Sequence, residues 1–171
     1  IKLFGKDMSS LDVAAISQHV RLTPQQTRIM SRSVIDNIIV PESSTKFCVD
    51  ESIQKARLDH LIVTYNLRSH LPDGDLSNTD IGKRGSHLSG GQRQLVGILR
   101  TLVKATDNAL YLFDEPTASM DTECQRKVVQ MIHNIRNDFS NVAVAVVTHD
   151  NRSDWQFNKV FQVENHLLKS L

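Results

Sequence analysis

An α/β fold built on a parallel sheet is predicted from three observations. Two continuous apolar runs, Ala109 to Phe113 and Val142 to Val147, flank a segment from Asp121 to Ile135 in which Cys124, Val128, Ile132 and Ile135 fall in line at helical spacing. This is a β-α-β order, and Val- and Leu-rich runs without alternation read as strands of a parallel sheet covered on both faces. Both runs end in ionisable groups, Asp114-Glu115 and Thr148-His149-Asp150, at the carboxyl edge where open α/β sheets collect polar chemistry. Residues 33–104, by contrast, read as mostly helical.

The composition supports one core with room for a smaller lobe, since the chain has 171 residues and is 40% hydrophobic. A net charge of +1, from 20 basic and 19 acidic residues, provides no electrostatic footprint for nucleic acid or a charged membrane surface. The longest uninterrupted apolar run, Val142 to Val147, is far short of the roughly 20 residues that span a bilayer. No basic-then-apolar leader pattern opens the chain, and Cys48 and Cys124 stand in no Cys-x-x-Cys or metal-ligand spacing. A reducing, cytosolic setting fits best. The chain opens at Ile1 without a methionine, so a piece of a longer protein is expected.

Taken in order, Ile1 to Phe4 reads as a short strand entering a turn at Gly5-Lys6-Asp7, and Leu11 to Ser17 as a brief helix capped by Ser9 or Ser10. Val20 to Thr23 alternates like a strand, and Pro24-Gln25-Gln26 closes it because proline cannot continue a central ladder. Ser33 reads as the N-cap of a short helix through Ile38, stopped before Pro41. Two further helices are expected, from about Asp50 to Leu58 and from about Asp59 to Asn66, followed by a Leu71-Pro72-Asp73-Gly74 turn. Thr79 to Gly85 is a polar loop, and in the helix predicted from Arg93 to Lys104 the residues Leu95, Ile98, Leu99 and Leu102 form one apolar stripe. Lys159 to Val163 and Leu167-Leu168 read as a hairpin turning at Glu164-Asn165-His166. Trp155 and Tyr65 read as packing residues, Arg93 as a solvated helix residue, and His19, His60, His70, His87, His133 and His166 as surface or turn residues without ligand spacing.

Two stretches carry chemistry. Ser89-Gly90-Gly91-Gln92 ahead of the amphipathic helix can converge backbone N–H groups and a hydroxyl on a phosphate, or can be an ordinary N-cap with Ser89 capping and the glycines turning the chain. Leu110 to Phe113 ending in Asp114-Glu115 can hold Mg²⁺ and polarise water, or can be a strand end whose acids are merely solvated.

Together, in the order Pro24-Gln25, Leu88-Ser89-Gly90-Gly91-Gln92, Leu110 to Glu115 and Val147-Thr148-His149, these motifs resemble the nucleotide-binding domain of ABC transporters, across essentially all of the chain. The resemblance implies a P-loop NTPase-like ABC ATPase core with a parallel sheet and an inserted α-helical signature subdomain. Its segments would be 1–32, the core up to the Q-loop; 33–104, the helical subdomain; and 105–171, the core with Walker B, D-loop and switch histidine. It also implies roles. Asp114 would hold Mg²⁺ through water, Glu115 would be the general base, His149 would contact the γ-phosphate, and Gln25 would sense metal and attacking water. Ser89, Gly90, Gly91 and Gln92 would clasp the γ-phosphate of ATP on a partner domain, and Asp121 would close the D-loop, Thr117 to Asp121. Thr79 to Gly85 looks like the X-loop of exporter-type domains, and Ser33 to Ile38 and Leu71 to Gly74 sit where exporters have similar segments. The implied partners are a second nucleotide-binding domain, identical or not, and transmembrane domains, at the cytoplasmic face of a membrane, without nucleic acid.

The sequence departs from the family pattern at Lys83, where the X-loop usually has glutamate, at Ala118-Ser119, which reverses the usual Ser-Ala, and at Pro116, where many exporters carry alanine. More consequential, no Gly-x-x-x-x-Gly-Lys-Ser/Thr occurs in the 171 residues; Gly85 and Gly90 have the glycine spacing, but Gly91-Gln92 follows. A domain truncated before the Q-loop, lacking Walker A and inactive alone, is expected. The rival expectations are a non-catalytic module that lends its signature loop to a partner's ATP, and a soluble ABC-type ATPase.

Overall fold

The computed structural model describes residues 2–3, 5–39, 49–150, 155–164 and 167–170. Its centre is a three-stranded parallel sheet in the order β3 (Val20–Thr23), β4 (Leu110–Asp114), β5 (Ala143–Val147). Val20 pairs with Leu110, Leu110 with Ala143 and Asp114 with Val147, so all three strands end at one edge. The β-α-β unit is completed by α5 (Thr122–Asp138), whose Cys124, Val128, Ile132 and Ile135 are buried as the spacing predicts.

Parallel pairing places Thr23, Tyr111, Phe113, Val144 and Val146 on one face, against the helices, and Tyr111 and Phe113 are almost fully buried. Burial of each such aromatic contributes about 1.5–3 kcal/mol. The opposite face is not covered as expected: Leu22 is 60% and Val147 62% exposed, and Ala143 and Ala145 are also exposed. A continuous apolar run specifies that both faces avoid polar atoms, but not that this chain provides both covers.

Between β3 and β4 lie α2 (Val34–Ile38), α3 (Glu51–Thr64) and α4 (Gly90–Leu102). Ser33 caps α2 as predicted, its Oγ accepting from the Asp36 N–H at 3.0 Å. The two helices expected at 50–66 are one, because nothing at Leu58-Asp59 breaks the chain and Asp50 caps the whole element by accepting from Ser52 N–H at 2.8 Å. The Pro72-Asp73-Gly74 bend forms with Gly74 at φ 79.

Helix α4 starts at Gly90, so both glycines lie in its first turn and not in a turn ahead of a helix at Arg93. Its predicted stripe is buried, but so are Gln94, Val96, Gly97 and Thr101. Thr101 Oγ1 meets Thr23 Oγ1 of β3 at 2.7 Å, and a Cβ on Gly97 would stand 2.1 Å from Thr27 Oγ1. Helix α4 is therefore an interior element with neighbours on several sides, where a single amphipathic face was expected.

At the chain start, β1 (Lys2–Leu3) and β2 (Lys6–Asp7) pair antiparallel, with Gly5 at φ 79. Helix α1 (Val13–His19) begins later than expected, and Ser9 and Ser10 do not cap it: they belong to a 3-10 turn, Met8–Ser10, capped by Asp7. The closing hairpin pairs β6 (Phe161–Glu164) with β7 (Leu167–Ser170). Its predicted turn residues Asn165 and His166, together with Pro41 and Cys48, lie outside the described residues. Tyr65 and Trp155 are buried packing residues, Trp155 stacking on Phe157 at 5.3 Å between ring centroids. No helix among the described residues is long and apolar enough to cross a membrane.

Candidate functional site

The parallel register delivers Asp114 and Val147 side by side, so the acids after β4 and the Thr148-His149 turn after β5 leave the sheet together. Glu115 lies at φ 47, a left-handed conformation uncommon for a residue with a Cβ, and its N–H donates to the Val147 carbonyl at 2.8 Å. Its carboxylate accepts the His149 backbone N–H at 2.9 Å, while His149 Nε2 stands 3.5 Å from the same oxygen. The Glu115 side chain is 11% exposed and the His149 side chain 99% exposed. A fixed, nearly buried carboxylate thus sits beside an imidazole that solvent or a ligand can reach. Gln25 is exposed, two residues beyond the end of β3 at the same sheet edge, and no hydrogen bond among the described residues joins it to Asp114 or Glu115.

At the start of α4 Ser89 to Gln92 form the N-cap that the sequence allows. Ser89 Oγ accepts the Gln92 N–H at 3.1 Å and Gln92 Oε1 accepts the Ser89 N–H at 2.9 Å, a reciprocal capping box. The first-turn N–H groups of Gly90 and Gly91 have no acceptor within the helix, and the Ser89 hydroxyl hydrogen remains available to donate. An anion at this end would also meet the positive pole of the helix dipole. The immediate neighbour of the turn is the 117–121 loop: a Cβ on Gly91 would lie 2.8 Å from the Ser119 carbonyl oxygen, and one on Gly90 3.3 Å from Ser119 Cβ. At position 91 only glycine allows this approach.

Asp121 caps α5, accepting the Cys124 N–H at 2.9 Å, and this bond is the first cause holding its carboxyl below the ordinary aspartate range. His70, read from sequence as a surface or turn residue, is 12% exposed at its side chain and lies 3.6 Å from Asp121 Oδ2 and 3.7 Å from Glu123 Oε1. Lys127 Nζ lies 3.0 Å from His70 Nε2, pairs with Glu123 at 2.7 Å and donates to the Asn66 carbonyl at 2.9 Å. The helical segment is thereby fastened to the start of α5. Burial pushes the Cys124 thiol up to about 11.

Two residues were missed in the sequence. Gln94 is buried, its Nε2 donating to the Glu115 carbonyl and its Oε1 accepting from the Ser119 N–H at 3.1 Å. The available signal was its position four before Ile98, an amide on the flank of an apolar stripe. Arg93, expected to be solvated, is half-buried and donates to the Leu88 carbonyl at 2.8 Å, bracing the turn before the helix.

No group of three or more His, Cys, Asp or Glu among the described residues could cage a metal ion. The donor set at Asp114 suits Mg²⁺ in another way: this hard cation keeps several waters and takes one or two carboxylates together with substrate phosphates. The half-buried Asp114 beside Glu115 supplies such a carboxylate.

Residues 1–118 match the family model described as ABC transporter. The chain is similar to the mitochondrial iron-sulfur clusters transporter ATM1 of Kluyveromyces lactis, with 31% identity over 168 residues, covering 96% of this chain and 22% of that protein. It is similar also to the alpha-hemolysin translocation ATP-binding protein HlyB of Escherichia coli O157:H7, with 28% identity over 165 residues, 96% of this chain and 22% of that protein. Among solved structures, a bacterial Atm1-family ABC exporter with ATP bound superposes with a TM-score of 0.60 at 24% identity, over 84% of this chain and 23% of that one, a likeness of fold. The chain thus spans about a fifth of the length of these relatives. With the mixed α/β fold, the parallel sheet and a family match over more than half of its residues, the chain belongs to the ABC transporter family.

Proposed function

We propose that this chain is the later part of the nucleotide-binding domain of an ABC exporter, working as one of two such domains that close on ATP and Mg²⁺ and drive transport through transmembrane domains at the cytoplasmic face of a membrane. The observation that carries this reading is the fixed Glu115 carboxylate, held by the His149 N–H at 2.9 Å beside an exposed imidazole. In this reading Glu115 accepts the proton of the attacking water, His149 contacts the γ-phosphate, and Asp114 holds Mg²⁺, which neutralises phosphate charge when bound. Gln25 orients that water from the neighbouring strand end. Ser89, Gly90, Gly91 and Gln92 donate to the γ-phosphate of ATP on the partner domain, and Asp121 sets the D-loop between the sites. Segment 33–104 is the signature subdomain, and 1–32 with 105–171 belong to the ATPase core.

A second reading is favoured by one observation, the lack of Gly-x-x-x-x-Gly-Lys-Ser/Thr in the 171 residues. In it the chain does not hydrolyse ATP and only lends Ser89 to Gln92 to a nucleotide held elsewhere. The two readings separate on turnover. The pure 171-residue chain is expected to show no ATP hydrolysis under either. When a phosphate loop is supplied in the same assembly, the first reading expects turnover that Glu115→Gln stops, and the second expects turnover indifferent to Glu115.

A further inference from the structure

Glu115 is the most constrained residue of the site, and part of the constraint comes from an unexpected direction. Its left-handed backbone, φ 47, needs surrounding structure to hold it. β5 and the turn after it supply two bonds, to the Glu115 N–H from Val147 and to the carboxylate from His149. The carbonyl accepts from the Ala118 N–H at 3.3 Å within the turn, and from Gln94 of α4. The other end of the same Gln94 amide accepts from the Ser119 N–H at 3.1 Å, and the residue is only 3% exposed.

Gln94 lies two residues beyond Gln92 on the same rigid helix, and Gly91 packs so closely on Ser119 that a Cβ would stand 2.8 Å from its carbonyl oxygen. One helix therefore carries the phosphate-facing turn at its start and an amide clamp on the 115–119 turn one helical turn later. A buried amide satisfied at both ends in this way leaves little slack, because loss of either bond strands a buried polar group.

We infer that Gln94 is a positioning residue that fixes Glu115 and Ser119 to the signature helix, so that the carboxylate serving one nucleotide and the clasp reaching the partner's nucleotide change geometry together. This rests on the roles proposed above for Glu115 and for Ser89 to Gln92. Gln94 itself touches no reacting atom; it acts through the backbone on either side of Pro116-Thr117-Ala118.

The test uses the assembled protein, phosphate loop and partner domain included. Gln94→Met keeps the side-chain volume and removes both bonds. It is expected to lower kcat by ~10-fold or more with KM for ATP changed by less than about threefold, since misplacement of a catalytic group acts on the chemical step. In the same variant the Ser119 amide, read by site-resolved hydrogen exchange without nucleotide, should exchange ~10-fold or more faster. Gln94→Glu separates the two bonds: its carboxylate still accepts from Ser119, but only its protonated form donates to the Glu115 carbonyl. Its turnover relative to the parent should therefore rise as pH falls from about 8 to about 6.5, because burial favours the neutral acid. A ratio that stays flat over this range would overturn the inference, as would parent-like turnover and Ser119 exchange in Gln94→Met. Glu115→Gln in the same assembly reports on the underlying reading. If it leaves turnover intact, the role given to Glu115 falls and this inference with it, whereas full loss with Gln94→Met at parent rates overturns the inference alone.

Discussion

The backbone N–H of His149 donates to Glu115 Oε1 at 2.9 Å, and the His149 imidazole Nε2 stands 3.5 Å from that same oxygen. One carboxylate oxygen thus joins the exits of β4 and β5. An amide oxygen can accept the same N–H, so Glu115→Gln should keep this turn in place while removing the proposed base. In the assembled protein, ATP turnover is expected to fall by about 10²-fold or more with ATP binding retained, measured by steady-state hydrolysis and equilibrium nucleotide binding. Unchanged turnover would remove Glu115 from the chemistry.

The capping box makes Ser89 both a helix cap and a candidate phosphate donor, and two substitutions split these roles. Ser89→Ala should cost about 1 kcal/mol and lower Tm by about 3 °C. Ser89→Asp retains a good N-cap, so stability should stay near the parent's, but it sets a negative charge where the phosphate would lie. The proposed clasp predicts that the Ser89→Asp assembly loses turnover despite a parent-like melting curve; normal turnover would leave only the capping role.

Gly97 and Thr27 form a packing pair that can be tested on the chain itself. A Cβ at Gly97 would stand 2.1 Å from Thr27 Oγ1 and 2.9 Å from Thr27 Cγ2, so Gly97→Ala should cost about 1–3 kcal/mol through overpacking. Thr27 Oγ1 is buried without a hydrogen-bond partner among the described residues, and Thr27→Ala removes the clashing atoms at small cost. The double variant should recover about 1 kcal/mol or more relative to additivity, read from urea midpoints. Strict additivity would contradict the close approach of α4 to the loop after β3.

The carboxyl of Asp121 is held low, first by the Cys124 N–H, against a smaller opposing effect of burial and with help from His70. A carboxylate whose folded pKa lies below its unfolded one contributes stability that is present above about pH 4 and lost as pH falls through the folded pKa. Asp50 and Asp75 are shifted the same way by their own turn bonds, so the whole chain should weaken in acid. Asp121→Asn keeps a capping oxygen without the titration. Its loss of stability between about pH 5 and pH 3 should be smaller than the parent's, and equal losses in urea melts would count against the Asp121 cap.

Much of the fold was legible because its periods are strong. The runs at Leu110 to Phe113 and Val142 to Val147 and the stripe along α5 needed only spacing, and Ser33 announced its helix by local side-chain chemistry. The break expected at Leu58-Asp59 failed because local apolar spacing is weak along α3, and a weak period does not distinguish one helix from two. Ser9 and Ser10 misled because a serine can equally join a turn capped by the preceding aspartate.

The sequence by itself determined the order of motifs, the β-α-β unit and the residue types gathered at the strand ends, since these follow from local spacing and strand polarity. Only the tertiary structure decided that the turn at Gly90-Gly91 rests on Ser119, that His70 and Lys127 fasten the helical segment to α5, and that Gln94 holds the backbone of Glu115. Each of these joins residues far apart in the chain through a buried or half-buried contact. Such contacts depend on where packing brings two segments together, which no local period encodes.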